Sequence, residues 1–198
     1  MQRFQAGDSR AFEVLLARHR TAAFQFILRF VGSRPRAEDV LQETWLKVVR
    51  AAPEYQPRAK FRTWLYTIAR NLCVDQDRRE AFRAMASLDA PRGEEGDRTL
   101  GDSLAEGGGS DPERRAHAAR MRPVLEAALK GLPPEQREVF VMREYAGLAF
   151  KEIAEATRTP ENTVKSRMRY ALEGLRRALQ LAGIDGDLAE DAARAAAR

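Results

Sequence analysis

Several residue types are scarce in this chain of 198 residues, and each scarcity excludes a class of protein. Cys73 is the only cysteine, so a disulfide framework is excluded and a reducing cytoplasm is the expected compartment. His19 and His117, the two histidines, lie far apart in the sequence, which leaves no spacing suited to a metal site. No apolar run approaches the about 18 residues that cross a bilayer, and the first residues show no signal-peptide pattern. We therefore expect a soluble intracellular protein without metal or cofactor.

Charge is distributed unevenly along the chain, although the formal net charge is only +5. Residues 88–113 contain eight acidic and two basic side chains, a net charge of −6, so the remainder carries +11. A basic remainder favours a polyanionic partner, because each phosphate contact releases condensed counterions. Solvated basic faces are also common on soluble proteins, so charge by itself leaves both interpretations open.

Apolar residues recur at spacings of three and four along most of the chain, and no segment alternates as a strand does. These patterns predict an all-α fold of two small helical domains. In the first half they predict helices over 9–31, 35–50 and 61–86, the first capped by Asp8 or Ser9 and ended by Gly32. In the second half they predict a helix ending near Gly131, another from Pro133 to about Gly147, and a helical pair over 149–181.

A glycine-rich acidic segment at 87–111 separates the two halves. It contains few apolar residues, so it predicts a flexible linker rather than a packed element. We therefore expect one domain at 1–86 and another at 112–182, followed by an acidic, alanine-rich tail at 183–198.

The segment 149–181 has the organisation of a helix-turn-helix. Its short first helix ends at a break over 157–160, where Thr159 is placed to cap the next helix and Pro160 to open it. The second helix has five basic residues against one acid over 162–180. Its predicted apolar stripe consists of Val164, Met168, Leu172, Leu175 and Leu179. This pattern favours a recognition helix in a DNA major groove, and the alternative is a helical hairpin with a solvated basic face.

Two helices of the first half carry candidate binding faces. In the helix at 35–50 an acidic and apolar group lies off the core face and suits protein docking, although most such groups are simply solvated. The helix at 61–86 interleaves aromatic rings with arginines, which suits stacking on unpaired bases. In the alternative, Trp64 anchors the core. A Mg²⁺-dependent nuclease built on Asp75, Asp77 and Glu80 is a further possibility. The favoured interpretation is that these acids balance the neighbouring arginines on a helix surface, and we expect no enzyme.

Four runs of the sequence resemble the extracytoplasmic-function sigma factors of bacterial RNA polymerase, in the order and with the spacing of that family. They are AEDVLQETWLKV, FRTWLYTIARNLCVDQDRR, LPPEQREVFVMREYAGLAFKEIAE and TVKSRMR. The resemblance implies a region-2 domain in the first half and a region-4 domain in the second. It also implies a function: directing core polymerase to specific promoters and assisting DNA opening.

The resemblance assigns roles to individual residues. The residues that would dock on the clamp helices of the large polymerase subunit are Asp39, Gln42, Glu43 and Leu46. The residues that would capture the unpaired −10 bases are Tyr55, Arg58, Lys60, Phe61, Arg62, Trp64, Tyr66 and Asn71. The residues that would read the −35 duplex are Asn162, Thr163, Lys165, Ser166, Arg167, Arg169 and Tyr170.

Departures from the family pattern concentrate in the helix-turn-helix. Arg158 stands where relatives usually have glycine, at a position where φ is expected to be positive. Asn162 and Tyr170 also replace residues that are common in the family. The implied partners are core RNA polymerase, promoter DNA and an anti-sigma factor. The alternative function is a helix-turn-helix regulator without polymerase docking, which would have no need of the first domain.

Overall fold

The computed structural model describes residues 1–57, 59–86 and 123–183, and every regular element in these ranges is a helix. The all-α prediction is therefore confirmed for the described part of the chain. The chain divides into two compact units, Met1–Glu106 and Gly107–Arg198. The predicted linker at 87–111, the start of the predicted second domain and all of the predicted tail except Gly183 lie outside the described residues.

The first unit contains four described helices: α1 (Gln2–Gln5), α2 (Ser9–Val31), α3 (Arg34–Arg50) and α4 (Phe61–Ala86). An Asp8 side-chain oxygen accepts a hydrogen bond from the Ala11 backbone N–H, as predicted for the cap of α2. Gly32 ends that helix with a φ of 69°. The sequence pattern does not predict α1, because a helix of four residues is too short to show a periodic pattern.

Helices α2, α3 and α4 pack against one another around one apolar core. The Phe26 and Tyr66 rings meet there with their centroids 5.0 Å apart. At the edge of this core Arg36 of α3 forms an ion pair with Glu80 of α4. The largest fully buried side chains of the unit are Phe26, Ile27, Val48, Leu65 and Tyr66. The three helices thus present fixed outer faces for other contacts.

The second unit contains a helix α5 over the described residues 123–130, followed by α6 (Pro134–Glu144), α7 (Phe150–Thr157) and α8 (Glu161–Leu181). Helices α6 and α7 both pack on α8, whose buried residues are Val164, Met168, Ala171, Leu175 and Leu179. The predicted burial of Leu172 is wrong, since this side chain is 43% exposed. At 3.6 residues per turn, the step of three from Met168 places Ala171 on the buried stripe instead.

The turn between α7 and α8 is closed by backbone hydrogen bonds around Arg158, which adopts the left-handed conformation with φ 52° and ψ 42°. The Thr159 N–H donates to the Ala154 carbonyl at 3.0 Å, and the Arg158 N–H donates to the Glu155 carbonyl at 3.4 Å. This pair of bonds is a Schellman motif. The expected positive φ at Arg158 is confirmed.

The predicted roles of Thr159 and Pro160 at the start of α8 are wrong. The Thr159 hydroxyl donates to the Thr157 carbonyl and does not cap α8. Pro160 has an extended ψ of 139° and precedes the first helical residue, Glu161. Its carbonyl accepts the N–H groups of Thr163 and Val164. The Schellman motif holds the chain one residue longer in the turn than the sequence pattern indicated.

Candidate nucleic-acid and protein interfaces

Three aromatic rings form a cluster where the loop after α3 meets the start of α4. The Tyr55 and Trp64 centroids lie 4.8 Å apart, and Phe61 lies 6.4 Å from Tyr55 and 6.0 Å from Trp64. All three side chains are half-buried, so part of each ring faces solvent. Burial raises the pKa of the Tyr55 phenol, which keeps it neutral. We call Tyr55, Phe61 and Trp64 the aromatic cluster.

The loop that carries Tyr55 is held by the N-terminal helix. The Gln5 side-chain amide of α1 donates to the Tyr55 carbonyl at 2.8 Å and lies 3.5 Å from the Pro53 carbonyl. At the other end of the loop, the Trp64 N–H donates to the Lys60 carbonyl at 3.2 Å. These bonds bring the loop ring beside the helix rings, a juxtaposition that the sequence alone does not indicate.

Polar groups surround the aromatic cluster unevenly. Lys60 and Asn71 are exposed, and Asn71 lies two turns beyond Trp64 on the same side of α4. Arg62 lies nearly opposite Trp64 around the helix. His19 of α2 lies 5.3 Å from Phe61, ring to ring, and burial, with smaller contributions from Arg18 and Arg62, lowers its pKa below 6.5. Arg58, the remaining predicted −10 residue, lies outside the described residues.

The predicted role of Tyr66 in capturing −10 bases is wrong, because Tyr66 is a core residue. Its side chain is 2% exposed and packs edge-on against Phe26, so no nucleic-acid base can stack on its ring. Burial raises the pKa of its phenol to about 12. The spacing to the buried Ala69 and Cys73, three and seven residues further on, is a helical core spacing that could have revealed this.

One side of α3 carries the four residues predicted to dock on polymerase. Asp39, Gln42 and Leu46 are exposed and Glu43 is half-buried, whereas Val40, Thr44 and Val48 on the other side are buried. The four residues fall within less than a third of a turn around the helix axis. We call Asp39, Gln42, Glu43 and Leu46 the α3 strip. Its chemistry is two carboxylates and an amide around one apolar side chain.

An apolar groove of about 430 Å³ lies beside the α3 strip, between α2 and α3. Gln42 and Leu46 belong to both, and the groove is also lined by Phe12 and Trp45, whose rings lie 5.9 Å apart in an edge-on contact. The buried Trp45 Nε1 has no hydrogen-bond partner within the described ranges. No pattern in the sequence predicts this groove, because it exists only where two helices meet.

Helix α8 presents its predicted recognition residues opposite its buried stripe. The exposed members are Asn162, Thr163, Lys165, Ser166, Arg169 and Tyr170, and Arg167 is half-buried at the edge. Lys165 pairs with Glu161 at 2.7 Å, while Arg169 lies 3.8 Å from Glu173 and 4.9 Å above the Tyr170 ring. These ion pairs preset the two long side chains on the exposed face. The result is a basic, hydrogen-bonding helix surface supported by α7.

Comparisons with known proteins agree with both halves of this architecture. Residues 15–83 match the family model of Sigma-70 region 2, and residues 123–175 match that of Sigma-70 region 4. The RNA polymerase sigma-H factor of Pseudomonas aeruginosa is 33% identical over 184 residues, covering 91% of this chain and 92% of that protein. The ECF RNA polymerase sigma-E factor of Escherichia coli is 31% identical over 179 residues, covering 88% and 90%. The chain belongs to the extracytoplasmic-function sigma factors.

Two solved structures share the fold of this sigma factor. The sigma factor RpoE in complex with the anti-sigma factor NepR from Bartonella quintana has a TM-score of 0.68 at 23% identity, covering 86% of this chain and 98% of that one. CnrH in complex with the cytosolic domain of CnrY has a TM-score of 0.61 at 24% identity, covering 89% and 92%. At these identities the likeness concerns the fold alone.

This sigma factor directs core RNA polymerase to promoters and is an initiation factor without catalysis of its own. Of the three acids in the nuclease alternative, Glu80 forms an ion pair with Arg36 of α3. The described residues also contain no group of three or more histidine, cysteine or acidic side chains that could hold a metal ion. In the same part of the chain, no helix is long and apolar enough to cross a membrane.

Proposed function

We propose that the α3 strip is the surface by which this sigma factor docks on the clamp helices of core polymerase. Asp39 and Glu43 offer charges to basic side chains, and Leu46, which is 48% exposed, offers apolar contact area beside them. A charged rim around an exposed apolar residue is typical of a specific protein interface. The neighbouring groove extends the same surface toward α2.

We propose further that the aromatic cluster receives the unpaired bases of the −10 element. Half-buried rings are rigid and keep one edge or face for a base, which makes them suitable stacking platforms. Lys60, Asn71 and Arg58 complete the proposed −10 surface beside the aromatic cluster. Arg62, which lies nearly opposite Trp64 around α4, is proposed to contact the same strand away from the rings. Tyr66 supports it from the core by fixing α4 against α2.

The proposed −35 surface is the exposed face of α8, and this face is the observation that carries the DNA-binding assignment. It combines basic side chains with short polar side chains on the first three turns of α8, where a recognition helix contacts the edges of DNA bases. Lys165, Ser166 and Arg169 are proposed to face the groove, with Thr163, Arg167 and Tyr170 nearer to the phosphates. Asn162 is proposed to contact the duplex at the start of the helix.

We propose domain limits of 1–86 and 112–182, joined by a flexible linker at 87–111 and followed by a tail at 183–198. We also propose a cytoplasmic location and an anti-sigma partner, which the complexes of RpoE with NepR and of CnrH with CnrY support by analogy. The regulation would then respond to stress, with the anti-sigma factor covering the polymerase-binding faces.

The direct test is transcription in vitro from a library of random promoter fragments by core polymerase with and without this protein. We expect transcripts that depend on the protein and whose templates share two sequence elements upstream of the start. Absence of such transcripts, together with failure of the protein to bind core polymerase, would contradict the proposal. Binding to duplex DNA without binding to polymerase would instead support a helix-turn-helix regulator.

A further inference from the structure

Arg158 stands out in the described chain as its only non-glycine residue with a positive φ. The left-handed conformation brings the Cβ of an L-residue close to the following carbonyl, so glycine is preferred in it and other residues are strained. The Schellman motif around Arg158 needs this conformation but needs nothing from the side chain. An arginine at this position is therefore unexplained by the stability of the turn.

The side chain of Arg158 also has no polar partner in the described part of its unit. It is exposed, and it forms no ion pair or side-chain hydrogen bond with another described residue. Lys165 and Arg169, in contrast, are each set beside a glutamate of α8. Arg158 thus offers a guanidinium group that is not engaged within the described part of the protein.

The position of Arg158 relative to α8 indicates what this group could bind. Only Thr159 and Pro160 separate it from the first residue of the helix. A recognition helix enters the major groove by its N-terminal residues, and the groove is about 12 Å wide, with phosphates along both edges. The chain leading into such a helix must therefore pass close to one row of phosphates, within the reach of an arginine side chain.

We propose that Arg158 is a DNA-binding residue that holds a backbone phosphate of the −35 duplex where α8 enters the groove. This inference rests on the proposed placement of α8 in the major groove. A phosphate contact carries no base sequence information, so Arg158 would set affinity and the register of α8 rather than promoter preference. The strained backbone places the guanidinium group at the groove edge. The free-energy cost of this strain is offset only in the DNA complex, by the phosphate contact.

Binding to a labelled mixed-sequence duplex of about two helical turns tests this contact with the full chain at several salt concentrations. We expect Arg158→Ala and Arg158→Gly to weaken binding about threefold to tenfold at low salt and to reduce the salt slope by about 1. Arg158→Lys should keep most of the affinity. Lys130→Ala is the matched control, because it removes one exposed positive charge far from the start of α8. Lys130 lies two residues before Leu132, which contacts α8 at Gly174, about 18 Å along the helix from Asn162.

A second measurement separates this role from a structural one. Arg158→Gly relieves the strained backbone, so we expect slower hydrogen exchange in α7 and a melting temperature of the second unit that is higher by about 4 °C. If Arg158 only stabilised the turn, Arg158→Gly would lower both the stability of the second unit and its affinity for DNA. Opposite changes in the same variant support a residue retained for binding.

The outcomes discriminate between this inference and the function on which it rests. If Lys165→Ala weakens duplex binding and both Arg158→Ala and Arg158→Gly bind as wild type with the same salt slope, the Arg158 contact is wrong and the role of α8 stands. If none of the three variants weakens binding, both are wrong. If the Arg158 variants lower affinity no more than Lys130→Ala does, the effect is nonspecific and the contact is likewise refuted.

Discussion

The ring centroids of Tyr55 and Trp64 lie 4.8 Å apart, although one residue belongs to a loop and the other to a helix. Because both rings are half-buried, each is fixed by its neighbours and still presents surface to a ligand. This relationship joins the loop after α3 to the proposed strand-melting surface.

Replacing Trp64 by alanine should impair promoter opening. Stacking on an aromatic side chain contributes about 1–3 kcal/mol per base, so we expect about a tenfold to hundredfold lower level of open complex in Trp64→Ala. Permanganate reactivity of unpaired thymines measures this level. Phe82→Ala is the control, because Phe82 of the same helix is 75% exposed and lies outside the aromatic cluster. Equal effects of the two substitutions would refute the role of the cluster.

Reversing the charge of Asp39 should weaken binding to core polymerase without affecting binding to DNA. We expect an affinity about tenfold or more lower for Asp39→Arg, since a like charge then faces the basic part of the partner surface. The measurement is equilibrium binding of labelled protein to core enzyme. Glu54→Arg makes the same charge change in the exposed loop beyond α3 and should bind normally. Wild-type affinity of Asp39→Arg would remove the α3 strip from the docking surface.

Removing Lys165 or Arg169 should weaken duplex binding through loss of charge on α8. For either alanine variant we expect about a threefold to tenfold loss of affinity and a salt slope lower by about 1. Arg177→Ala tests whether the position of the charge on α8 matters, because Arg177 is also exposed but lies about 12 Å further along the helix than Arg169. If Arg177→Ala has the larger effect, the N-terminal half of α8 is not the reading surface.

The stability of the first unit should fall between neutral and mildly acidic pH because of His19. The folded state lowers the pKa of His19 below its ordinary 6.5, so the neutral form is favoured on folding. Its contribution is complete above the unfolded pKa and is lost as pH falls through 6.5 toward the folded value. We expect His19→Gln to show a smaller decrease in denaturation midpoint than wild type between pH about 8 and about 5.5.

Tryptophan fluorescence can follow the unfolding of the first unit at each pH, since Trp45 and Trp64 are the only tryptophans and both lie in this unit. Carboxylates titrate equally in the two proteins and cancel in the comparison. Identical pH dependence in His19→Gln and wild type would show that His19 is not responsible.

Periodicity sufficed for most elements, because a helix repeats its burial pattern every 3.6 residues. It located α2, α3 and α4 closely and indicated the pair α7 and α8. It wrongly predicted that Leu172 is buried, because the buried stripe of α8 passes through Ala171 instead. It also placed the start of α8 too early, because backbone hydrogen bonds around Arg158 extend the preceding turn. It also placed Tyr66 on a binding surface, although the side of α4 that Tyr66 occupies faces Phe26 of α2.

By itself the sequence determined the helical class, the division into two halves, the family and the chemistry available on α3, α4 and α8. These properties depend on local spacing and composition, which each segment carries independently of its neighbours. Only the tertiary structure decided which aromatic rings meet, which are enclosed, and where α2 and α3 form a groove. Those outcomes depend on contacts between residues far apart in sequence, such as Gln5 with Tyr55, and no local pattern records them.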